Sequence, residues 1–329
     1  MHDKAEAAEA AVRCIERQFG KGAIMSLGNH DAVEEVAAIP TGSLALDAAL
    51  GVGGYPRGRV VELFGPKGGG KTTLALHAVA LAQAADGIAA FVDAEHTLDI
   101  RYAAALGVNV DKLYLSQPDT GEQALEIVEI LCRSGGIDIA VMDSVNALTP
   151  RAEIEGEMVE GHDGIRARLM SQALRKLTAV AHRTGTCLLF VTEVERGATS
   201  PCASALKFYA SVRLDVRKVQ EETEGGRVVG NLTRVRVVKN KVARPFGEAE
   251  FAITPGGGID RVAELADLAV SFGVLERSGD LPVFREAGIG KDRKKLAALL
   301  RESDKLRGVI GAEIREHLGL SAPDVPVAP

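Results

Sequence analysis

The run Gly65-Pro66-Lys67-Gly68-Gly69-Gly70-Lys71-Thr72-Thr73 constrains the fold more than any other feature of this chain. It fits the pattern G-x-x-x-x-G-K-[ST]. It lies between a short apolar run, Val60 to Phe64, and a helix-forming stretch, Lys71 to Ala84. Strand, glycine-rich loop and helix in that order wrap successive backbone N–H groups around an anion, with the positive end of the helix dipole behind them. Glycines let the backbone come close enough to do this. In such a loop the lysine, Lys71, reaches the outer phosphates of a nucleotide, and the Thr72 hydroxyl ligates Mg²⁺. A glycine-rich turn with no ligand would not call for that flanking strand and helix.

Further along, short apolar runs keep alternating with helical patterns. Strands are expected at Ile88–Val92, Leu113–Leu115, Ile137–Met142 and Cys187–Val191. Helices are expected at Ile100–Leu106, Glu122–Cys132 and Ile165–His182. This alternation predicts βαβ units and an α/β fold with a mostly parallel, twisted sheet. Val212–Val219 and Leu232–Val238 instead alternate apolar and charged residues around a polar turn, Glu221–Arg227, as edge strands with one wet face do. Gly256-Gly257-Gly258 reads as a hinge, and Ile259–Leu318 as a small α-rich lobe. The expected organisation is an N-terminal segment 1–32, a core 33–258, a C-terminal lobe 259–320 and a disordered proline-containing tail 321–329.

Ala5–Phe19 predicts an amphipathic helix, with Ala8, Ala11, Val12, Ile15 and Phe19 on one side and Gly20-Lys21-Gly22 ending it. From the residues alone its apolar side fits docking on its own chain or on a neighbouring subunit. No stretch is apolar and long enough to be a signal peptide core or to cross a bilayer, which predicts a cytoplasmic protein without a membrane partner. The formal charge of −6 gives no global attraction to nucleic acid, so any such contact needs a local basic patch. Tryptophan is absent and aromatics are 4%, so nothing in the composition points to a base-stacking surface. Cys14, Cys132, Cys187 and Cys202 are scattered without a C-x-x-C pair, as expected of reduced thiols.

Three predicted strands end in acids. In an open parallel sheet those ends face the ligand crevice. Asp143 follows Ile137–Met142, and beside a phosphate loop it is a candidate holder of Mg²⁺. Glu95, in Asp93-Ala94-Glu95, is a candidate general base for an attacking water, and Asp93 is the more structural of the two. Glu193, after Cys187–Val191, stands where a polar residue would sense the outermost phosphate. As an anion it would do so poorly. Arg168, Gln172 and Arg175 share one face of the 165–182 helix, which suits a solvated surface or a phosphate-gripping one.

With these residues in view, the chain resembles the bacterial RecA recombinases. Similar segments are Gln18–Met25, Pro40–Leu44, the phosphate loop, Asp93–His96, Ser116–Leu125 and Met142–Val145. Ala152–Glu157, Leu206–Leu214 and Val237–Lys241 follow in order, covering about residues 5 to 270. The resemblance implies a RecA-type P-loop core and an N-terminal helix that docks on a neighbour. It implies an ATP-dependent filament on single-stranded DNA that pairs with double-stranded DNA and exchanges strands in recombinational repair. It further implies an SOS-type repressor as partner. Glu95 matches the family's catalytic glutamate, and Asp99 and Tyr102 match adenine-contacting positions. Lys239 and Lys241 match lysines that reach a neighbour's γ-phosphate. Arg168 and Arg175 match DNA-contacting positions, and Phe208 an interface residue.

The chain also departs from that family. Glu193 replaces a glutamine that reads the γ-phosphate, and Glu195 replaces a basic residue. The second DNA loop, Val194–Ala205, is short, with Cys202-Ala203-Ser204 in place of a glycine pair. Lys67-Gly68-Gly69 replaces an acid and small serines, and Thr254-Pro255 replaces a tyrosine. The tail lacks an acidic run. These changes motivate an alternative reading, a paralogue that binds nucleotide and DNA without coupling them. A small-molecule kinase would account for the phosphate loop but not for Lys239 and Lys241. Lys71→Ala should abolish tight ATP binding, because the loop loses the side-chain cation at the outer phosphates. Titration with a fluorescent nucleotide checks this, and an unchanged affinity would contradict the assignment.

Overall fold

The computed structural model describes residues 2–24, 36–155, 163–194, 201–274 and 292–320. Glu195 and the tail 321–329 lie outside them. The chain divides at Val36 into two units. The first contains α1 (His2–Phe19), closed where the Gly20 N–H donates to Glu16 O at 2.9 Å and Gly20 turns to a φ of +96°. Phe19, on its apolar side, is 69% exposed.

The second unit is built on one sheet. Its strands are β3 (Val60–Gly65), β4 (Ala89–Asp93), β5 (Tyr114–Ser116), β6 (Ile139–Asp143), β7 (Cys187–Glu193), β8 (Val212–Glu224), β9 (Arg227–Asn240), β10 (Glu248–Thr254) and β11 (Gly258–Ile259). A separate two-stranded sheet pairs β1 (Ala38–Ile39) with β2 (Tyr55–Pro56). The large sheet runs β11-β10-β9-β8-β3-β7-β6-β4-β5. From β8 to β5 every pairing is parallel, and from β8 to β11 every pairing is antiparallel. The inner parallel strands are apolar almost throughout because helices cover both faces.

On one face α3 (Lys71–Ala84) packs with α2 (Leu44–Leu50) and α4 (Ile100–Ala105) against Val61, Leu63, Phe91 and Val141. On the other, α5 (Gly121–Arg133), α7 (Asp163–Thr184) and α8 (Pro201–Tyr209) cover Val60, Val92, Met142 and Phe190. A short α6 (Arg151–Glu155) precedes α7. Helices α9 (Arg261–Ser271), α10 (Arg293–Glu302) and α11 (Asp304–His317) form their own apolar cluster around Leu265, Leu296, Leu300 and Ile314.

Four expectations need correcting. Helical spacing expects Ile165, Leu169, Ala173, Leu177 and Val180 as the apolar stripe of α7; Leu177 and Val180 are buried, but the core side is completed by Met170, Leu174 and Ala181, with Leu169 and Ala173 only partly buried and Ile165 41% exposed, because α7 is rotated so that its 170/174/177 side meets the sheet. The polar turn expected at Glu221–Arg227 is only Gly225-Gly226, both at positive φ, the backbone a two-residue hairpin demands. The strands run on through their charged residues. Part of the expected second loop is helix, since α8 starts at Pro201, and proline suits a first helical position. Gly256-Gly257-Gly258 is not a hinge but the tight turn between β10 and β11. It is pinned to α3, where the Ile259 N–H donates to His77 Nε2 at 3.0 Å, and a Cβ at Gly258 would lie 2.4 Å from that nitrogen.

The C-terminal helices join the core through a buried carboxylate. Glu264 on α9 accepts the N–H groups of Leu44 (3.1 Å) and Ala45 (3.2 Å) and the Ser43 hydroxyl, which satisfies the open N-terminus of α2. Asp47 lies in the same buried region and accepts the Thr41 N–H at 2.8 Å. Burial pushes both carboxyls up to about 7, against the pull of these hydrogen bonds. A folded pKa above the unfolded value means stability that is full below about pH 4 and lost as pH rises toward 7. Chemical denaturation at pH 5 and pH 8 should therefore show a smaller loss in Glu264→Gln than in the parent, by on the order of 2–3 kcal/mol. An equal loss in both would show that Glu264 is not the titrating group.

Candidate nucleotide-binding site

The carboxyl ends of β3, β4, β6 and β7 meet at one pocket, as parallel registers require. Gly65 pairs beside Glu193, and Asp93 beside Asp143. Loop residues Lys67 to Thr73 line it with Glu95, Tyr102, Asp143, Ser144, Val191 and Glu193. The loop leaves β3 at Gly65, with φ +151°, and enters α3 through Gly70, with φ +99°. A Cβ on Gly65 would lie 2.1 Å from the backbone Val216 O, which leaves no room for one, and a side chain at Gly70 would strain a left-handed backbone and have to displace Ile253 Cδ1, 2.5 Å away. Gly68 is also at positive φ, with open space around it.

Lys71 opens α3 and is nearly buried, its ammonium donating to Gly65 O (3.0 Å) and Pro66 O (2.8 Å). Burial lowers its pKa, opposed by the fields of Glu193, Asp143 and Glu95. The Thr72 hydroxyl donates to Asp143 Oδ2 at 2.6 Å. Burial raises the Asp143 carboxyl to about 6, with the Thr72 bond pulling the other way. Two oxygens this close at the mouth of the loop suit Mg²⁺, which takes one or two protein oxygens and fills its remaining positions with phosphate and water. Thr73 and the Tyr102 hydroxyl share a hydrogen bond of 2.9 Å. Asp99 caps α4, accepting the N–H groups of Arg101 (2.8 Å) and Tyr102 (3.1 Å), and this orients Tyr102 on the pocket wall.

The segment after β6 organises the acids. Asp143 meets Thr72, Ser144 donates its hydroxyl to Glu95, and Asn146 brackets Glu193. Asn146 Oδ1 accepts the Glu193 N–H at 2.7 Å, while Asn146 Nδ2 donates to Glu193 O at 3.0 Å. Asp93, by contrast, is buried and bound to the N–H groups of Thr97 and Leu98 and to Gln117, which folds the turn carrying Glu95. Ser144 and Asn146 escaped the sequence reading as site residues. So did Asn231 and Thr233, which line the pocket from β9. No local motif marks them, because the sheet's register brings them in. Thr254 and Pro255 also lie on the wall.

Other candidates lie elsewhere. Lys239 donates to Lys207 O (2.6 Å) and Phe208 O (3.2 Å) at the end of α8, and Lys241 is exposed. Neither lines the pocket. Phe208 is 78% exposed, and Arg168 and Arg175 face solvent on α7. Among the described residues no helix is long and apolar enough to cross a membrane, and no cluster of three or more His, Cys, Asp or Glu is placed to hold a metal.

Comparison with known proteins agrees with this geometry. The model of the RecA N-terminal domain matches residues 6–260. Protein RecA 1 of Myxococcus xanthus is 53% identical, covering 99% of this chain and 97% of its own. Protein RecA of Citrifermentans bemidjiense is 54% identical over 96% and 95% of the two chains, and that of Rubrobacter xylanophilus 52% over 98% and 96%. The likeness spans the phosphate loop, the acids around it and the β8–β9 ribbon alike, so this chain belongs to the RecA family.

Proposed function

We propose that this protein is a DNA-dependent ATPase that assembles on single-stranded DNA and promotes homologous pairing and strand exchange in DNA repair. The observation that carries the reading is the convergence of the Lys71 ammonium, the Thr72 hydroxyl and the Asp143 and Glu95 carboxylates on one pocket beneath a phosphate loop. Identity above 50% along nearly the whole chain to RecA proteins supports the recombinase over an uncoupled paralogue.

Lys71 holds the outer phosphates once it turns from the Gly65 and Pro66 carbonyls. Thr72 and Asp143 would hold Mg²⁺, which would supply charge neutralisation at the phosphates. Glu95, oriented by Ser144, takes a proton from the attacking water. Tyr102, placed by Asp99, lies against the base. Lys239 and Lys241 stand outside their own pocket and serve the γ-phosphate of a neighbouring copy. That arrangement makes hydrolysis depend on the filament. The segment 1–32 and Phe208 serve assembly, Arg168 and Arg175 hold DNA phosphates, and Glu193 is an altered phosphate sensor. The lobe 259–320 is a separate functional module of a cytoplasmic protein, and an SOS-type repressor is a further partner.

Single-stranded DNA should raise ATP turnover several-fold, and matched single- and double-stranded DNA should yield joint molecules. Turnover indifferent to DNA, with no joint molecules, would overturn the recombinase reading. Glu95→Gln should lower kcat by roughly 10²–10⁴ while nucleotide affinity is retained, as measured by steady-state hydrolysis beside equilibrium binding.

A further inference from the structure

Glu62 is a fully buried carboxylate that does not line the nucleotide pocket. It lies on β3, on the strand that leads into the phosphate loop at Gly65. The registers set Glu62 beside Arg213 on β8, and Arg213 opposite Lys239 on β9. Arg213 Nε donates to Glu62 Oε2, and its guanidinium sits over the Phe64 ring, 4.4 Å from the centroid. Burial pushes the Glu62 carboxyl up, and the bond to Arg213 pulls it back. Strict alternation would carry Lys239 after Val235 and Val237 onto the α3 face, where Leu214 and Val216 lie. A bulge at Val238 interrupts it, since Leu214 faces Val237 while Arg213 faces Lys239. Lys239 is thereby turned to the α8 face, where its ammonium donates to Lys207 O and Phe208 O. Two cations thus stand on facing positions of neighbouring strands, which is unfavourable unless an anion opposes them. Burial disfavours the charged form of Lys239, as do Lys241 and Arg213, and Glu62 favours it.

We infer that Glu62 is a positioning residue for Lys239: acting through Arg213, it keeps the ammonium at the end of α8, where the nucleotide of a neighbouring copy can take it. The inference rests on the reading of Lys239 as serving a neighbour's γ-phosphate. Arg213 is held by Glu62 on one side and Phe64 on another, so it is a fixed charge. With the carboxylate present, the guanidinium is offset and Lys239 keeps its two carbonyls. Without it, an unopposed guanidinium faces Lys239 and drives the ammonium off the end of α8. The lysine offered to a neighbour is therefore tied to the strand that carries this chain's own phosphate loop.

The test uses the full chain on single-stranded DNA with ATP and Mg²⁺. Lys239→Ala should lower turnover; unchanged turnover would overturn the reading of Lys239, and the inference with it, and leave the nucleotide site standing. Glu62→Gln keeps the shape and removes the charge. It should lower kcat roughly tenfold and leave nucleotide affinity within about twofold, the scale of one unopposed like charge at cross-strand range. Mixed filaments then separate positioning from a general structural defect. In an excess of Glu95→Gln chains, the sound pocket of a Glu62→Gln chain meets a neighbour's sound Lys239. Turnover per Glu62→Gln chain should rise there toward that of the parent diluted in the same way. An unchanged kcat in Glu62→Gln, or a lowered kcat that the mixture does not restore, would overturn the inference while Lys239 keeps its role. Should Glu62→Gln fail to fold by its thermal midpoint, the double variant Glu62→Gln with Arg213→Gln carries the test. It removes both charges, so its turnover should return to within about threefold of the parent. A double variant as slow as Lys239→Ala would overturn the inference.

Discussion

Two backbones touch where the phosphate loop passes over β8, and much of the architecture follows from that contact. A Cβ on Gly65 would sit 2.1 Å from the Val216 carbonyl oxygen, and one on Gly69 2.7 Å from the same atom. Only glycine permits so close an approach, and the approach makes β8 the floor of the loop. Because β8 lies next to β3, the antiparallel strands that follow it extend the sheet past the loop rather than away from it. Thr233 on β9 and Ile253 on β10 then become a wall of the pocket. The β10–β11 turn returns to α3 at His77. The loop, its helix and the late hairpins thus support one another, although β8 begins 128 residues after α3 ends at Ala84.

The electrostatics of the pocket depend on a single short segment. Asp143, Ser144 and Asn146 reach Thr72, Glu95 and Glu193 respectively, so a few consecutive residues set the positions of three carboxylates. Three acids around one nearly buried lysine leave excess negative charge in a partly desolvated place. Burial pushes Asp143 upward and Lys71 downward, the response of charges that await counterions. Polyphosphate and a divalent cation would supply both complements together.

Some of this was legible in the residues alone. The phosphate loop, the α3 boundaries and the inner parallel strands follow from local apolar patterning that tertiary packing reinforces. Glu95 and Asp143 could be named because strand ends in a parallel sheet face the crevice. The errors have a common cause. The side of α7 that meets the sheet, the length of the β8–β9 ribbon and the role of Gly258 all depend on partners far along the chain. A window of sequence does not contain those partners. Ser144, Asn146, Asn231 and Thr233 carry no signature for the same reason.

Sequence by itself determined that this chain forms a phosphate loop in a parallel α/β core, and that its family is RecA. The physical reason is local: glycine's conformational freedom, a lysine at a helix start and the period of apolar residues are properties of neighbouring residues. Tertiary structure decided which groups share the pocket. Parallel pairing sets Gly65 against Glu193 and Asp93 against Asp143, and the added hairpins close the wall. The same register keeps Lys239 at the end of α8, away from the site in its own chain. Strand order and register, which no short stretch encodes, put Lys71 within the field of Glu193 and keep Lys239 out of the pocket.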